Sequence, residues 1–175
     1  MSTLTMGDEA LEITDLAVTF ATDGGDVRAV DGVSLTVRKG EVLAIVGESG
    51  SGKTVTAKTI LGLLPETATT SGMVMIGQDN VITVSRQRLR EIRGTRAAMV
   101  FQEPSTALNP VFTVGWQIIE GLRAHGKYTA AQARAKAIDF LTRVGIPDAE
   151  HRVDYYPHQF SGGQKQRIVI AMALV

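Results

Sequence analysis

The sequence predicts an α/β fold built around a phosphate-binding loop, and three consecutive stretches support that prediction. Residues 41–46 form an apolar, β-branched run that is typical of a buried strand. Residues 47–54, Gly-Glu-Ser-Gly-Ser-Gly-Lys-Thr, fit the phosphate-loop pattern of a glycine, four free positions and then Gly-Lys-Ser/Thr. Residues 55–64 are expected to form a helix that Pro65 ends. Strand, loop and helix in this order are the context that the pattern requires.

Each residue type in the loop has a chemical reason. Glycine at positions 47, 50 and 52 lets the backbone bend tightly and leaves its N–H groups open to phosphate oxygens. The helix that follows directs its positive dipole end toward the same anion. Lys53 can reach the β- and γ-phosphates, and the Thr54 hydroxyl can hold Mg²⁺. The alternative is a glycine-rich turn that precedes a lysine by chance.

Composition limits the classes of function. The chain has 175 residues, about one domain, and its 44% hydrophobic and 21% charged residues are typical of a globular protein. A formal net charge of +0 provides no electrostatic footprint for nucleic acid or an anionic membrane. The cysteine count of 0 excludes disulfides and thiolate metal sites. Residues 1–12 do not have the pattern of a secretory signal, and no apolar run approaches the roughly 20 residues that span a bilayer.

The N-terminal part is expected to be an antiparallel β layer. Residues 11–20 alternate as a half-buried strand does, and residues 27–37 predict one or two more strands beyond a turn at 23–26. Phe20 could stack on a nucleotide base, although a lone aromatic residue in a strand is more often part of the core.

Two further strands and a helix are expected after Pro65. Residues 72–77 and 81–84 predict a pair of short strands around a turn at 78–80. Residues 86–93 predict a short basic helix ended by Gly94, with its arginines on a solvated face.

A second candidate contact follows the predicted strand at 97–101. Gln102 stands at the carboxyl end of that strand, where ligand-contacting groups lie in open parallel sheets. Its amide can offer an oxygen to Mg²⁺ and a donor to phosphate. Helical spacing at 113–125 and 129–144 predicts a helical subdomain, in which Trp116 is expected to anchor a core or an interface.

The last helix begins with Ser161, Gly162, Gly163 and Gln164. Ser161 is a good N-cap, and the two glycines leave backbone N–H groups open at the helix end. An ordinary capped helix start is the alternative. The histidines do not have metal-ligand spacing, so none is expected to bind a metal; they are His125, His151 and His158.

Taken together, these motifs resemble the ATP-binding subunits of ABC transporters. The phosphate loop at 47–54 matches the family's first motif, and residues 101–104 match its glutamine loop. Residues 160–167 match its signature motif, with Phe160 where leucine is commoner. The expected fold is therefore an α/β P-loop NTPase core of ABC type, with an N-terminal antiparallel β subdomain and a helical subdomain.

Finer resemblance points to the oligopeptide, dipeptide and nickel importer branch. Residues 27–34, 105–115 and 156–160 are similar to segments of that branch, and the resemblance extends from about Leu11 to Val175. In the family, the base-stacking aromatic lies just ahead of the second strand. This chain has glycines there, so Phe20 is the candidate substitute.

The resemblance implies an ATP-binding and ATP-hydrolysing subunit that powers an importer for peptides or a similar small solute such as nickel. It implies ATP and Mg²⁺ as cofactors. The implied partners are a second ATP-binding subunit, two transmembrane permease subunits and, indirectly, a solute-binding protein, but no nucleic acid. The implied location is the cytoplasmic face of the cell membrane.

The resemblance also assigns site residues. Lys53 and Gln102 are the expected catalytic residues, and Thr54 and Gln102 are the expected metal contacts. The expected nucleotide contacts are Phe20, Gly47, Glu48, Ser49, Gly50, Ser51, Gly52, Lys53, Thr54, Thr56, Ser161, Gly162, Gly163 and Gln164.

The expected organisation is a single nucleotide-binding domain, cut short at its C-terminal end. Residues 1–101 are assigned to the β subdomain and P-loop core, 102–160 to the glutamine loop and helical subdomain, and 161–175 to the signature helix. The family's Mg²⁺-linked aspartate, catalytic glutamate and switch histidine would follow Val175. The 175-residue chain alone is therefore expected to bind ATP weakly and hydrolyse it hardly at all.

Two other readings remain open. One is a soluble ABC ATPase that works in DNA repair or translation, which the neutral charge and the importer-like residues 105–115 disfavour. The other is a nucleotide-binding module without turnover. A phosphate-loop kinase or GTPase fits poorly, because neither needs a motif such as residues 161–164.

Overall fold

A computed structural model describes residues 8–175, so the first part of the predicted non-signal segment lies outside the described residues. The chain divides into two compact units, one ending at Arg90 and the other spanning Glu91–Val175. The predicted subdivision at 101/102 and 160/161 stays a prediction.

The first unit contains the antiparallel sheet that the sequence predicts. Strands β1 (Glu9–Thr22) and β2 (Gly25–Arg38) form a long hairpin, and β1 also pairs with β3 (Ala68–Ile76). The two-residue strand β4 (Asp79–Asn80) completes the order β2-β1-β3-β4. β1 is thus the central strand, and the chain leaves the sheet after β2 and returns to it at β3.

The inner face of the sheet is apolar because the strand pattern alternates. The buried side chains of the sheet come mainly from β1 and β3, and they are Ile13, Leu16, Val18, Val30, Val74 and Ile76. A bulge interrupts β1 at Asp15, which adopts a φ of 48°. Gly72 lies opposite the bulge with its own φ at 95°, and a Cβ there would overlap the carbonyl oxygens of Thr14 and Asp15. Glycine at position 72 therefore allows the two strands to approach.

The prediction of a buried strand at 41–46 is wrong for the described chain. These residues are exposed and form no regular structure, and Val42 is 93% and Val46 92% accessible. A strand requires a neighbouring backbone to satisfy its N–H and C=O groups. In residues 8–175 no strand pairs with this run, so apolar composition alone does not produce one.

The predicted strands at 81–84 and 97–101 are also absent. The Asn80 side-chain oxygen accepts bonds from the Val74 and Ile82 amides, which curls the chain into a turn after β4. Near residue 97, the Ala97 amide donates to the Ile92 carbonyl, and the Gly94 amide donates back to the Ala97 carbonyl. These local bonds use the groups that a longer strand would need.

Helix α1 (Lys53–Ile60) begins earlier and ends earlier than predicted. Gly62 adopts a φ of 59°, and its amide and that of Leu63 bond to the carbonyls of Thr59 and Lys58. This left-handed turn ends the helix before Pro65 can. Helix α2 (Arg86–Ile92) agrees with the predicted basic helix.

The second unit is helical, and its main helices agree with the predicted spacing. A short helix α3 (Pro104–Ala107) leads to the two long helices, α4 (Val114–His125) and α5 (Ala130–Arg143). The unit ends with α6 (Ala149–Arg152), a 3₁₀ turn at Pro157–Gln159, and α7 (Gly162–Ala173). One core joins these helices; its fully buried side chains are Val114, Ile118, Ala137, Leu141, Val153, Ile168 and Ala171. Among the described helices, none has both the length and the apolar character that crossing a bilayer requires.

Candidate functional site

The phosphate loop, residues 47–54, closes around the ammonium group of Lys53. The Lys53 Nζ donates to the carbonyl oxygens of Gly47 at 2.7 Å and Glu48 at 2.6 Å, and to the Ser51 hydroxyl at 3.1 Å. An ammonium group has three N–H donors, so all three are used within the loop. Lys53 is therefore held at the centre of the loop by the loop's own oxygen atoms.

The geometry of the backbone favours glycine at two positions of the loop. Gly50 and Gly52 have φ values of 83° and 85°, which L side chains rarely adopt. A Cβ on Gly47 would lie 2.7 Å from the Ser51 hydroxyl oxygen, and one on Gly52 would lie 2.5 Å from the Ala29 carbonyl oxygen. The loop is thus a tight backbone turn in which glycine avoids strain at positions 50 and 52 and avoids a close contact with β2 at position 52.

The N-terminus of α1 is open toward the loop. Gly52 is its N-cap residue and supplies no side chain, so no side-chain cap covers the first-turn amides. Thr54 is exposed on this turn, whereas Thr56 is buried and its hydroxyl donates to the Gly52 carbonyl at 3.1 Å. Thr56 therefore supports the loop from within the helix. Open amides at a helix N-terminus form an anion-binding site.

Phe20 lies in the central strand of the same unit. It is half-buried and pairs with Val27 of β2 and Ala68 of β3. Val27 lies three residues along β2 from Val30, which packs beside Gly52 at the end of the phosphate loop. The packing of Phe20 in the sheet is enough to explain an aromatic residue at this position. The base-stacking role of Phe20 stays a prediction.

Residues 161–164, which we call the signature turn, form the N-terminus of α7 in the other unit. The Ser161 hydroxyl accepts from the Gln164 amide at 3.3 Å, and the Gln164 side chain accepts from the Ser161 amide at 3.1 Å. This capping box confirms Ser161 as the N-cap of α7. A Cβ at Gly162 or Gly163 would meet no atom within 4 Å. Both glycines therefore border open space, and their contact with a nucleotide stays a prediction.

Gln102 lies in a bend ahead of α3 and is exposed. It belongs to the second unit, with the signature turn, whereas Phe20 and residues 47–56 belong to the first. The structure thus brings together the loop residues as one group and the signature-turn residues as another. The metal and catalytic roles of Gln102 stay predictions.

Sequence reasoning missed two contacts that shape these groups. One is the ring in which Ser51 and the loop carbonyls hold Lys53, and the other is the approach of Gly52 to Ala29. The glycine immediately before Lys53 was a partial signal for the approach to Ala29, because glycine allows a neighbouring backbone to come close. No pattern in the sequence identifies Ala29 as its partner, since that depends on how β2 lies beside the loop.

Comparisons with known proteins agree with this arrangement. Residues 30–175 match the ABC transporter family. The dipeptide transport ATP-binding protein DppD of Bacillus subtilis is 48% identical over 170 residues, which cover 96% of this chain and 51% of that protein. A putative peptide import ATP-binding protein of Brucella abortus is 50% identical over 165 residues, covering 94% of this chain and 50% of the relative. The chain spans about half the length of these two relatives.

A solved structure is also similar. It is the dimeric, post-hydrolysis state of the ATP-binding cassette MJ0796 bound to ADP and Pi, with a TM-score of 0.77 and 26% identity. The similarity covers 94% of this chain and 68% of that one. The family model matches most of the chain, including the phosphate loop and the signature turn. This chain therefore belongs to the ABC transporter family.

Proposed function

We propose that this chain is the ATP-binding part of a subunit that binds and hydrolyses ATP to power an ABC importer of peptides or a similar small solute such as nickel. The observation that carries the proposal is the loop geometry, in which two carbonyl oxygens and a hydroxyl of the loop hold the Lys53 ammonium beside the N-terminus of α1. The names of the relatives from Bacillus subtilis and Brucella abortus favour peptides as the solute.

The first unit would hold the triphosphate of ATP. Residues 47–54 offer backbone amides and the α1 N-terminus to the phosphate oxygens, and Lys53 offers a charge. One of the three loop bonds of Lys53 must be exchanged for a phosphate oxygen, because no N–H of its ammonium is left over. Thr54 would contact Mg²⁺, which neutralises phosphate charge when bound. Phe20 would stack on the base.

Residues of the second unit have proposed roles of their own. Gln102 would contact Mg²⁺ and place water for the reaction. The signature turn would present Ser161 and the glycine amides to a nucleotide held by a second subunit, because an open helix N-terminus favours a negative charge. The similar cassette bound to ADP and Pi is dimeric, which supports a two-subunit arrangement.

The proposed partners follow from the family. They are a second ATP-binding subunit, two permease subunits that cross the membrane and, through them, a solute-binding protein. The proposed location is the cytoplasmic face of the membrane. The domain division at residues 101/102 and 160/161 is part of the same proposal.

The test of nucleotide binding is calorimetry with Mg·ATP on the 175-residue chain. We expect Lys53→Ala to reduce affinity at least about tenfold, because a charge-assisted contact to phosphate is lost. Lys58→Ala is the matched control, since it removes the same charge from the same helix outside the loop. Equal affinity in the wild type and Lys53→Ala would contradict the proposed site.

The test of transport uses the full-length subunit in a bacterium that needs it for dipeptide uptake. We expect Lys53→Ala to abolish growth when a dipeptide is the only source of an essential amino acid. Growth that persists, together with failure to co-purify with any membrane subunit, would favour a non-transport ABC ATPase instead.

A further inference from the structure

Helix α4 begins against the chain that leads into the signature turn. The amide of Val114 donates to the Tyr155 carbonyl at 2.9 Å, and the amide of Gly115 donates to the Val153 carbonyl at 2.8 Å. First-turn amides have no partner within their own helix. Here two of them are satisfied by a segment about forty residues later in the chain.

Gly115 makes this contact possible. A Cβ atom at this position would lie 2.5 Å from the Val153 carbonyl oxygen and would overlap a methyl group of the same residue. The α4 backbone therefore packs directly on the backbone of residue 153, with no side chain between them. Val153 is itself 1% exposed, so it cannot easily move away.

The contact has an exposed aromatic surface on one side. The rings of Phe112 and Trp116, which we call the aromatic pair, stack at 4.0 Å with their planes 15° apart. Both rings remain partly exposed. Trp116 belongs to the first turn of α4 and Phe112 lies just before that helix, so the pair is part of the start of α4.

The signature turn lies on the other side of the contact. From Tyr155 the chain passes through the 3₁₀ turn to Phe160, which is buried and whose ring centroid lies 6.2 Å from that of Tyr155. Phe160 directly precedes Ser161, the N-cap of α7. Backbone bonds and buried side chains thus connect the start of α4 to the start of α7.

We propose that Gly115 is a positioning residue for the signature turn. Its contact with Val153 joins the aromatic pair to the backbone that ends at Ser161, so both move as one body. The expected effect of Gly115 on ATP-dependent dimerisation rests on the proposed function. The structural connection does not, because it involves the second unit alone.

Amide hydrogen exchange on the 175-residue chain tests the connection. The informative amides are those of Gln164 and Lys165, which bond to the side-chain and backbone oxygens of Ser161. We expect Gly115→Ala to speed their exchange by about tenfold. Gly121→Ala is the control, because it makes the same change in the same helix, where a Cβ meets only a Val175 methyl at 3.2 Å.

Val114→Pro gives a second route if Gly115→Ala unfolds the unit. Proline is tolerated in the first helical position and removes the amide that bonds to Tyr155. Because Val114 is fully buried, Val114→Ala is the control for the lost side-chain packing. Faster exchange at Gln164 and Lys165 is again expected. Exchange that rises only in α4 and residues 153–155, or rises equally in Gly121→Ala, would overturn the proposal.

A second readout separates positioning from simple loss of stability. In the full-length subunit, Gly115→Ala should leave Mg·ATP affinity within about twofold while it lowers ATP-dependent dimerisation at least about tenfold. Equal loss of both would contradict a positioning role. Failure of the wild-type subunit to bind ATP would contradict the proposed function, but it would not change the conclusion from amide exchange.

Discussion

Gly52 packs against Ala29 so closely that a Cβ atom on the glycine would lie 2.5 Å from the alanine carbonyl oxygen. The last residue before Lys53 is therefore pressed onto β2. Since β2 pairs with the central strand along most of its length, the sheet fixes where the phosphate loop ends and α1 begins. The position of the lysine depends on a contact that the loop motif itself does not reveal.

Gly52→Ala should lower the free energy of unfolding by about 2 kcal/mol or more, because it adds a steric overlap to an unfavourable φ. Gly50→Ala should cost only about 1 kcal/mol, since Gly50 has nearly the same φ but no atom within 4 Å of a Cβ. Urea unfolding measures both. Equal costs would show that Ala29 does not crowd position 52.

Ser161→Ala should destabilise the start of α7 by about 1 kcal/mol, because it removes the oxygen that accepts from the Gln164 amide. Ser161→Thr keeps a hydroxyl at the same place and should cost less. Urea unfolding and exchange of the Gln164 amide measure the effect. An alanine variant as stable as the wild type would mean that the cap does not form.

Val42→Ala should change the free energy of unfolding by less than about 0.5 kcal/mol, because Val42 is almost fully exposed in this chain. Val74→Ala makes the same substitution at a side chain that is 0% exposed, and should cost about 2 kcal/mol from lost burial and the cavity left behind. Similar costs at the two positions would show that residues 41–46 are buried after all.

Asp154 and Arg134 give the second unit a pH dependence. The guanidinium of Arg134 donates to both carboxylate oxygens, at 2.7 and 2.6 Å, and this bonding lowers the pKa of Asp154. The pair contributes stability above the unfolded-state pKa, and that stability is lost as pH falls through the folded-state pKa. Both side chains are largely exposed, so the contribution should be about 0–1 kcal/mol.

The measurement is an NMR titration of the Asp154 carboxyl carbon. Arg134→Met should raise the pKa of Asp154 toward its ordinary value, and should reduce stability at neutral pH more than at a pH where Asp154 is protonated. Arg143→Met serves as the control, because Arg143 approaches a different carboxylate, that of Asp139. An unchanged Asp154 titration in Arg134→Met would rule out the pairing.

The sequence predicted the parts of the fold that local chemistry determines. The long helices α4 and α5 follow from apolar spacing, and α7 begins at Ser161 because serine and Gln164 form a reciprocal cap. The β1–β2 hairpin follows from alternating residues around a turn. The tight bend of the phosphate loop was also predictable, because glycine adopts a positive φ without strain, as it does at positions 50 and 52.

The sequence predictions failed where the local structure depends on hydrogen-bond partners that are distant in sequence or that compete with a strand or helix. Residues 41–46 have the composition of a strand but no strand beside them among the described residues. Residues 81–84 turn because Asn80 bonds to two nearby amides, and α1 stops at Gly62 rather than Pro65. The approach of Gly115 to Val153 leaves no local pattern at all.

The central place of β1 also leads us to expect a particular folding order in the first unit. The β1–β2 hairpin is local in sequence, and such hairpins form in about 1–10 μs. The phosphate loop and α1 lie in the segment that connects β2 to β3. The two ends of that segment are both held by the sheet only when β3 pairs with β1, on the side opposite β2. Closing this long connecting segment has a larger entropy cost than closing the short turn of the hairpin. The part of the chain that holds Lys53 therefore acquires fixed ends late, after the strand on which both ends depend is already paired.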